Sequence, residues 1–246
     1  MNTNKTEKVF LTGGTAGIGR ATALLLIENG YDVFIIGRDE NKFKDLMDSY
    51  EALENSPGNL EGKLVDVTDE QALKNLWNDY VQQYGCPDIL INNVGIPYQS
   101  VTENEEVSME YLVKTNLWSY MWLSGQAGKS MMEHKIEGDI INVGSMSASA
   151  REEGSSAYVA TKAGIQGFSE SFRKEMNPHN IRVSLVEPGS VGTDMQPTTP
   201  AEEHELQQKM EMLKAEDIAK TLLFILKQPK RVNIAEVTVK PLRQFI

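Results

Sequence analysis

Three side chains within the stretch 145–162 could together do acid–base chemistry on an oxygen: the hydroxyl of Ser145, the phenol of Tyr158 and the ammonium of Lys162. Tyr158 and Lys162 are four residues apart, so on a helix they share one face. A phenol ionises near pH ~10 and is a poor acid–base group at neutrality. An adjacent ammonium favours the phenolate and draws that pKa down, toward the range where general acid–base catalysis works best. Ser145 could add a hydrogen bond to the reacting oxygen. The same Tyr–Lys spacing also describes an ordinary solvated pair on a helix. Its meaning depends on what the rest of the chain places beside it.

The chain of 246 residues alternates short apolar runs with amphipathic stretches. Strands are predicted at 9–12, 33–36, 64–65, 89–91, 139–143, 183–186 and 233–239, with helices at 21–27, 41–53, 71–84, 107–134, 156–176 and 215–226. Thr68 or Asp69 is placed to cap the helix at 71–84. Alternation of this kind predicts an α/β fold: a Rossmann-type doubly wound parallel sheet of about seven strands, with helices on both faces as a three-layer αβα sandwich. No composition shift marks a linker and no repeat is present, so the whole chain, 1–246, reads as one domain. The polar stretch 196–208 has two prolines and no clear core face, and is predicted to be a mobile lid within 194–213.

Between the first strand and first helix lies Gly13-Gly14-Thr15-Ala16-Gly17-Ile18-Gly19. Glycines here let backbone N–H groups approach a pyrophosphate, and the helix N-terminus favours that anion. The spacing G-x-x-x-G-x-G differs from the commonest dinucleotide fingerprint, and Arg20-Ala21 excludes a P-loop. After the second strand, where an acid would hold a ribose 2′-hydroxyl, stand Gly37 and Arg38. A guanidinium there pairs with a 2′-phosphate, which favours NADP(H) over NAD(H). The alternative leaves Arg38 solvated and gives the ribose to Asp39.

Taken together, these stretches resemble the short-chain dehydrogenase/reductase family, in its single-domain branch, over nearly the whole chain. The glycine turn matches at Thr12, Gly13, Gly17, Ile18 and Gly19, with Thr15 inside it. Further matches are Asp66-Val67 after the third strand and Asn93-Val94-Gly95 after the fourth, with Val94 where the family more often has Ala. Asn116, Ser145, Tyr158 and Lys162 match the catalytic tetrad, and Pro188, Gly189, Val191 and Thr193 the motif after the sixth strand. The resemblance implies that Tyr158 exchanges a proton with a carbonyl or alcohol oxygen. It implies that Lys162 lowers the Tyr158 pKa and holds the nicotinamide ribose, that Ser145 bonds the substrate oxygen, and that Asn116 positions a water in a proton relay through Lys162. The remaining matched residues would line the cofactor. The segment 213–244 resembles NADP-dependent dehydrogenases of short 3-hydroxy acids such as serine or allo-threonine. Broad carbonyl reductases and 3-oxoacyl-thioester reductases also fit. That group implies a homotetramer or homodimer, packed through 109–134 and 156–176.

Other classes are disfavoured. A net charge of -11 argues against nucleic acid and anionic membranes as partners. His134, His179 and His204 are scattered, so no metal site is predicted. No G-x-S-x-G supports a hydrolase. The lone Cys86 reads as inert, no apolar run approaches a membrane span of ~20 residues, and residues 1–8 lack a signal-peptide core. A cytoplasmic location is therefore predicted. A non-catalytic redox sensor that binds NADP(H) is the competing function, and the complete tetrad argues against it.

Overall fold

The computed structural model describes residues 6–53, 56–102 and 107–244. The predicted absence of a signal-peptide core falls largely on residues 1–5, outside the described residues. Seven parallel strands form one sheet in the order β3-β2-β1-β4-β5-β6-β7. They are β1 (Lys8–Thr12), β2 (Asp32–Gly37), β3 (Leu60–Leu64), β4 (Ile89–Asn92), β5 (Asp139–Val143), β6 (Arg182–Pro188) and β7 (Glu236–Val239). This is the Rossmann-like arrangement, and the order reverses between β1 and β4, where a cleft must open at the carboxyl ends of the strands.

The helices are α1 (Gly17–Glu28), α2 (Glu40–Glu51), α3 (Glu70–Tyr84), α4 (Met109–Val113), α5 (Ser119–His134), α6 (Ser147–Ala150), α7 (Ser156–Met176), α8 (Pro200–Gln208) and α9 (Ala215–Leu226). The central strands are buried on both faces, so they read as continuous apolar runs. Successive side chains nonetheless point to opposite sides. Val9 and Leu11 of β1 join Ile35, Ile141 and the inner faces of α1 and α9 (Leu26, Leu222) in one core. Phe10 joins Phe34, Leu90, Ile140 and residues of α3, α5 and α7 (Trp77, Leu123, Phe172) in the other.

Two predicted elements are revised, and two others are made specific. The third strand runs over Leu60–Leu64, ahead of the predicted 64–65. Its sequence LEGKL carries almost no apolar signal because it is an edge strand exposed along much of its length. Of the two expected caps of α3, Asp69 is the one used, accepting from the N–H groups of Gln71 and Ala72 at 3.1 and 2.9 Å. The helix predicted over 107–134 starts after Ser108, whose side chain caps α4, and carries a π-helical turn at Lys114–Trp118. The polar stretch 196–208, expected as a lid, contains α8, started by a reciprocal Thr199–Glu202 capping box. That helix buries none of its residues, so periodicity had no apolar face to reveal it.

Candidate active site

The cleft at the carboxyl ends of the strands has a volume of about 840 Å³ and runs from Arg38 and Asp66 at one end to Ser145, Tyr158 and Glu152 at the other. Its floor is the glycine turn. Gly13 and Gly17 hold φ of 64° and 50°, a region that disfavours side chains. A Cβ on Gly19 would lie 2.0 Å from the Gly13 carbonyl oxygen, and one on Gly13 would lie 2.9 Å from the Val94 Cα. These are cradles that a methyl group would fill. The N-cap of α1, Ala16, offers no side-chain acceptor, and the first turn has no acid. The N–H groups of that turn are left for an anion. Thr12 fastens β1 to the loop after β4: its hydroxyl accepts from the N–H groups of Asn93 and Val94 at 2.9 and 3.1 Å. Asn93 Nδ2 donates to the Thr12 and Gly13 carbonyls at 3.2 and 3.1 Å. Thr15 packs beside Gly37, where a Cβ would meet its methyl group at 2.6 Å.

At the outer end, Arg38 donates to the Tyr111 hydroxyl, and Tyr111 donates to Asp66 Oδ2 at 2.6 Å. The Thr68 N–H and hydroxyl donate to Asp66 Oδ1 at 2.9 and 2.8 Å. Burial pushes the Asp66 carboxyl up, but the bonds from Tyr111 and Thr68 and the Arg38 charge outweigh it and hold the pKa below the usual value. Arg38 is thus an exposed cation on a defined mount. Asp39 accepts from the Lys42 N–H at 3.0 Å as the N-cap of α2. Tyr111 has no counterpart in the sequence reading, because it lies 73 residues from Arg38 and only the fold joins them.

The inner end is built on β5, α7 and the π-turn. Lys162 is buried in mid-α7, with its ammonium 5.7 and 5.6 Å from the ring centres of Tyr158 and Tyr120 and 3.3 Å from the Val143 carbonyl, to which it donates. Desolvation lowers its pKa to about 8, with the charge of Glu187 working the other way. Tyr158 is raised to about 12, first by burial and further by the charge of Glu152, while the Ser145 hydroxyl acts to lower it.

Ser145 is buried and donates to Ser147 Oγ at 3.1 Å. Its proton reaches a substrate oxygen only if the hydroxyl turns. Asn116 sits in the π-turn, where the extra residue per turn aims it at the loop after β4. It accepts from the Ile96 N–H and donates to the Ile96 carbonyl, both at 2.9 Å. Asn116 Oδ1 and Lys162 Nζ both lie within 4 Å of the Cβ position of Gly95. Pro188, Gly189, Val191 and Thr193 line the cleft from the β6 side, with Val67 and Ile18 from the other. All the singled-out residues except Thr12, Asn116 and Gly19 line the cleft. Asn116 and Gly19 stand directly behind it, under Ile96 and Gly13, and Thr12 fastens the glycine turn to the loop after β4. Glu152 and Glu187 were missed, because a single acid carries no periodic signal.

A Rossmann-like sheet with a glycine-cradled cleft at its switch point defines an α/β protein of the nucleotide-binding type. The family follows from residues 7–204, which match the model of the short chain dehydrogenases: the chain belongs to that family. It is 32% identical over 243 residues to the 3-oxoacyl-(acyl-carrier-protein) reductase FabG of Chlamydia pneumoniae, covering 95% of this chain and 94% of that one. It is 29% identical to an uncharacterized oxidoreductase of Staphylococcus saprophyticus, covering 94% and 95%. Among solved structures it resembles the closed form of serine dehydrogenase complexed with NADP+, with a TM-score of 0.83, 26% identity and coverage of 97% and 96%. A 4-hydroxyisoleucine dehydrogenase complexed with NADH shares the fold, with a TM-score of 0.82 and 23% identity over 96% and 98%. No helix among the described residues is long and apolar enough to cross a membrane.

Proposed function

We propose that this chain is an NADP(H)-dependent oxidoreductase that interconverts a carbonyl and a secondary alcohol of a small substrate. The observation that carries the cofactor reading is the mounted Arg38: its guanidinium lines the cleft beside the end of β2, where a 2′-phosphate falls, and Tyr111 and Asp66 hold it there. Asp39 is engaged as a helix cap, which weighs against its use as a ribose acid. Gly13, Gly17 and Gly19 and the uncapped first turn of α1 would hold the pyrophosphate. Asp66 and Val67 would border the adenine, Asn93, Val94 and Gly95 the ribose, and Pro188, Gly189, Val191 and Thr193 the nicotinamide. Solved relatives complexed with NADP support the same choice, while others hold NADH.

When bound, the nicotinamide supplies or accepts a hydride. The chain's own residues handle the proton. Tyr158 delivers it to the carbonyl oxygen in reduction and removes it in oxidation. Ser145, turned toward the substrate, donates to the developing alkoxide. Lys162 stays beside Tyr158, and its ammonium would hold the nicotinamide ribose. Asn116 holds the Ile96 loop and would place a water toward Lys162.

The narrower substrate readings are a short 3-hydroxy acid, supported by the serine dehydrogenase likeness, and a 3-oxoacyl thioester, supported by the Chlamydia relative. We read 194–213 as the lid on one compact domain. Its two ends are pinned together by Leu213 N–H to the Ser190 carbonyl and Gly192 N–H to the Leu213 carbonyl, at 2.9 and 3.0 Å, with α8 between them. A cytoplasmic homotetramer or homodimer completes the reading. The test is a screen of NADPH oxidation and NADP+ reduction against 3-hydroxy acids, 3-oxoacyl thioesters, sugars and steroids, run in parallel with NAD(H). Turnover that prefers NADPH supports the reading, and no turnover with either cofactor contradicts it.

A further inference from the structure

The sheet runs out of backbone partners where β6 enters the cleft. The pairing of β6 with β7 ends at Pro188 and Val239, and one more bond follows, from the Gly189 N–H to the Val239 carbonyl at 2.7 Å. The chain then leaves the sheet at Pro241, whose ring fixes φ and carries no donor. The Gln244 N–H closes this turn on the Pro241 carbonyl at 3.2 Å. The turn brings the Gln244 side chain back against the end of β6. There its Oε1 accepts from the first N–H beyond the sheet, that of Ser190, at 3.0 Å. Gly189 makes room for it: a Cβ at that position would overlap Gln244 Oε1 and lie 3.0 Å from Pro241 Cδ.

Ser190 is a junction between the reacting centre and the lid. On one side, Pro188 and Gly189 line the cleft, and the Pro188 carbonyl accepts from the Met146 N–H, next to Ser145, at 3.0 Å. On the other, the Ser190 carbonyl accepts from the Leu213 N–H at 2.9 Å, and the Leu213 carbonyl from the Gly192 N–H at 3.0 Å. Helix α8 rests on this footing, since a Cβ on Gly192 would lie 2.8 Å from Gln207 Nε2 and 2.9 Å from Glu203 Oε2. The same turn also holds the far end of α8. The Arg243 N–H donates to the carbonyl of Met210 at 2.9 Å, and Met210 has a left-handed φ of 63° that a side chain disfavours. Gln244 itself lines the cleft.

We propose that Gln244 is a positioning residue of this site. By holding the Ser190 N–H it registers the loop leaving β6 against the nicotinamide end of the cleft, and through Leu213 it sets the footing of α8. The inference rests on the oxidoreductase reading above and adds to it a residue that acts through the backbone of others. The role needs an acceptor at the reach of a glutamine side chain. Without it a backbone donor loses its partner and the loop is free to shift. Such a shift slows hydride transfer more than it weakens cofactor binding, because Arg38 and Asp66 hold the other end of the cleft independently.

The test uses the whole chain, with NADPH and ethyl acetoacetate, or the fastest carbonyl of the screen, as probes. Gln244→Met, which keeps the length and removes the acceptor, lowers kcat by ~10-fold or more, while NADPH affinity stays within about twofold of wild type. Its single-turnover rate of NADPH oxidation falls by the same factor, which places the loss at the chemical step. Gln244→Asn, whose acceptor falls one methylene short, behaves alike. Gln244→Glu, whose carboxylate accepts the same N–H, keeps kcat within about threefold of wild type. Leu242→Ala, exposed on the same turn, is the control and leaves the rate unchanged. Hydrogen exchange in the free protein reads the footing without turnover: the amides of 190–192 and 211–213 exchange ~10-fold faster in Gln244→Met and at the wild-type rate in Gln244→Glu. A purely structural role predicts fewer active molecules instead, seen as a smaller single-turnover amplitude at the wild-type rate. That result, wild-type kcat in Gln244→Met, or unchanged exchange over 190–213 overturns the positioning role and leaves the oxidoreductase reading intact. Absence of turnover by the wild type on every carbonyl screened overturns both.

Discussion

Lys162 and Tyr158 are displaced from their ordinary ionisations in opposite directions across a separation of 5.7 Å from ammonium to ring centre: the lysine down to about 8, the tyrosine up to about 12. Burial is the leading cause in both. In the absence of a dinucleotide, the chain therefore stores a charge penalty at this pair. A lysine whose folded pKa lies below its unfolded value binds fewer protons when folded, so stability rises with pH between about 8 and 10.5. The penalty at pH 7 is roughly 3 kcal/mol. Lys162→Met, which keeps the length and removes the charge, should raise Tm at pH 7 by several degrees and abolish turnover. The gap from wild type should close toward pH 10.5. Thermal unfolding followed at several pH values checks this, and a variant less stable than wild type at every pH contradicts it.

Glu187 is the partner charge beneath Lys162. It is buried on β6, one of its oxygens is unpaired, and its pKa is raised to about 7 by desolvation and by Glu236, against smaller lowering from Thr238 and Lys162. A carboxyl with a raised folded pKa stabilises the fold fully below its unfolded value of 4.5 and loses that contribution as pH rises through about 7. Glu187→Gln should therefore gain on the order of 2 kcal/mol over wild type at pH 8, with the difference vanishing below about pH 4.5. Urea denaturation at the two pH values measures it. The same difference at both would show that the Glu187 pKa is the same in the folded and unfolded chain.

Arg38 separates the two nicotinamide cofactors. Hydrogen bonds to a charged group contribute ~1.5–3 kcal/mol, so Arg38→Ala should weaken NADPH by ~10- to 100-fold and leave NADH within about twofold. Tyr111→Phe, which removes the hydroxyl that links Arg38 to Asp66, should weaken NADPH by a smaller factor in the same direction. Titration of protein fluorescence with each cofactor gives both numbers. An equal loss for NADH and NADPH would mean that Arg38 does not touch a 2′-phosphate.

The glycine turn makes a steric prediction. A Cβ at position 19 would sit 2.0 Å from the Gly13 carbonyl oxygen and 2.6 Å from Asn93 Nδ2. Neither can yield without pulling the first turn of α1 away from β4. Gly19→Ala should lose cofactor binding. Gly30→Ala makes the control: its Cβ would meet nothing within 4 Å, and although its φ of 85° costs stability, it leaves the cleft alone. Calorimetric titration with NADPH distinguishes them.

Much of this was legible because it depends on local physics. Strands buried on both faces announce themselves as apolar runs, so β1, β2, β4, β5 and β6 were placed to within about two residues. Tyr158 and Lys162 were legible by spacing, Asn116 and the choice of Ser145 only through the family resemblance, and the fold brings Asn116 and Lys162 within 4 Å of the Cβ position of Gly95 with Tyr158 beside Lys162. What was hidden depends on long-range contact or on the absence of an apolar face. Strand β3 is an exposed edge, α8 buries nothing, and the π-turn at Lys114–Trp118 leaves no sequence trace. Tyr111 joins Arg38 only through the sheet, and Glu152 joins Ser145 only through Ser147. The pKa of Tyr158 went the other way from the local expectation because spacing reveals a nearby ammonium but not the loss of water around the phenol.

The central claim is that Tyr158 transfers a proton in an NADP(H)-linked reaction. The direct measurement compares wild type and Tyr158→Phe for NADPH binding by fluorescence and for NADPH oxidation with the best carbonyl substrate from the screen. The account predicts NADPH affinity within about twofold of wild type and a loss of turnover of at least ~100-fold, because only the acid has been removed. Turnover by Tyr158→Phe at the wild-type rate would contradict it.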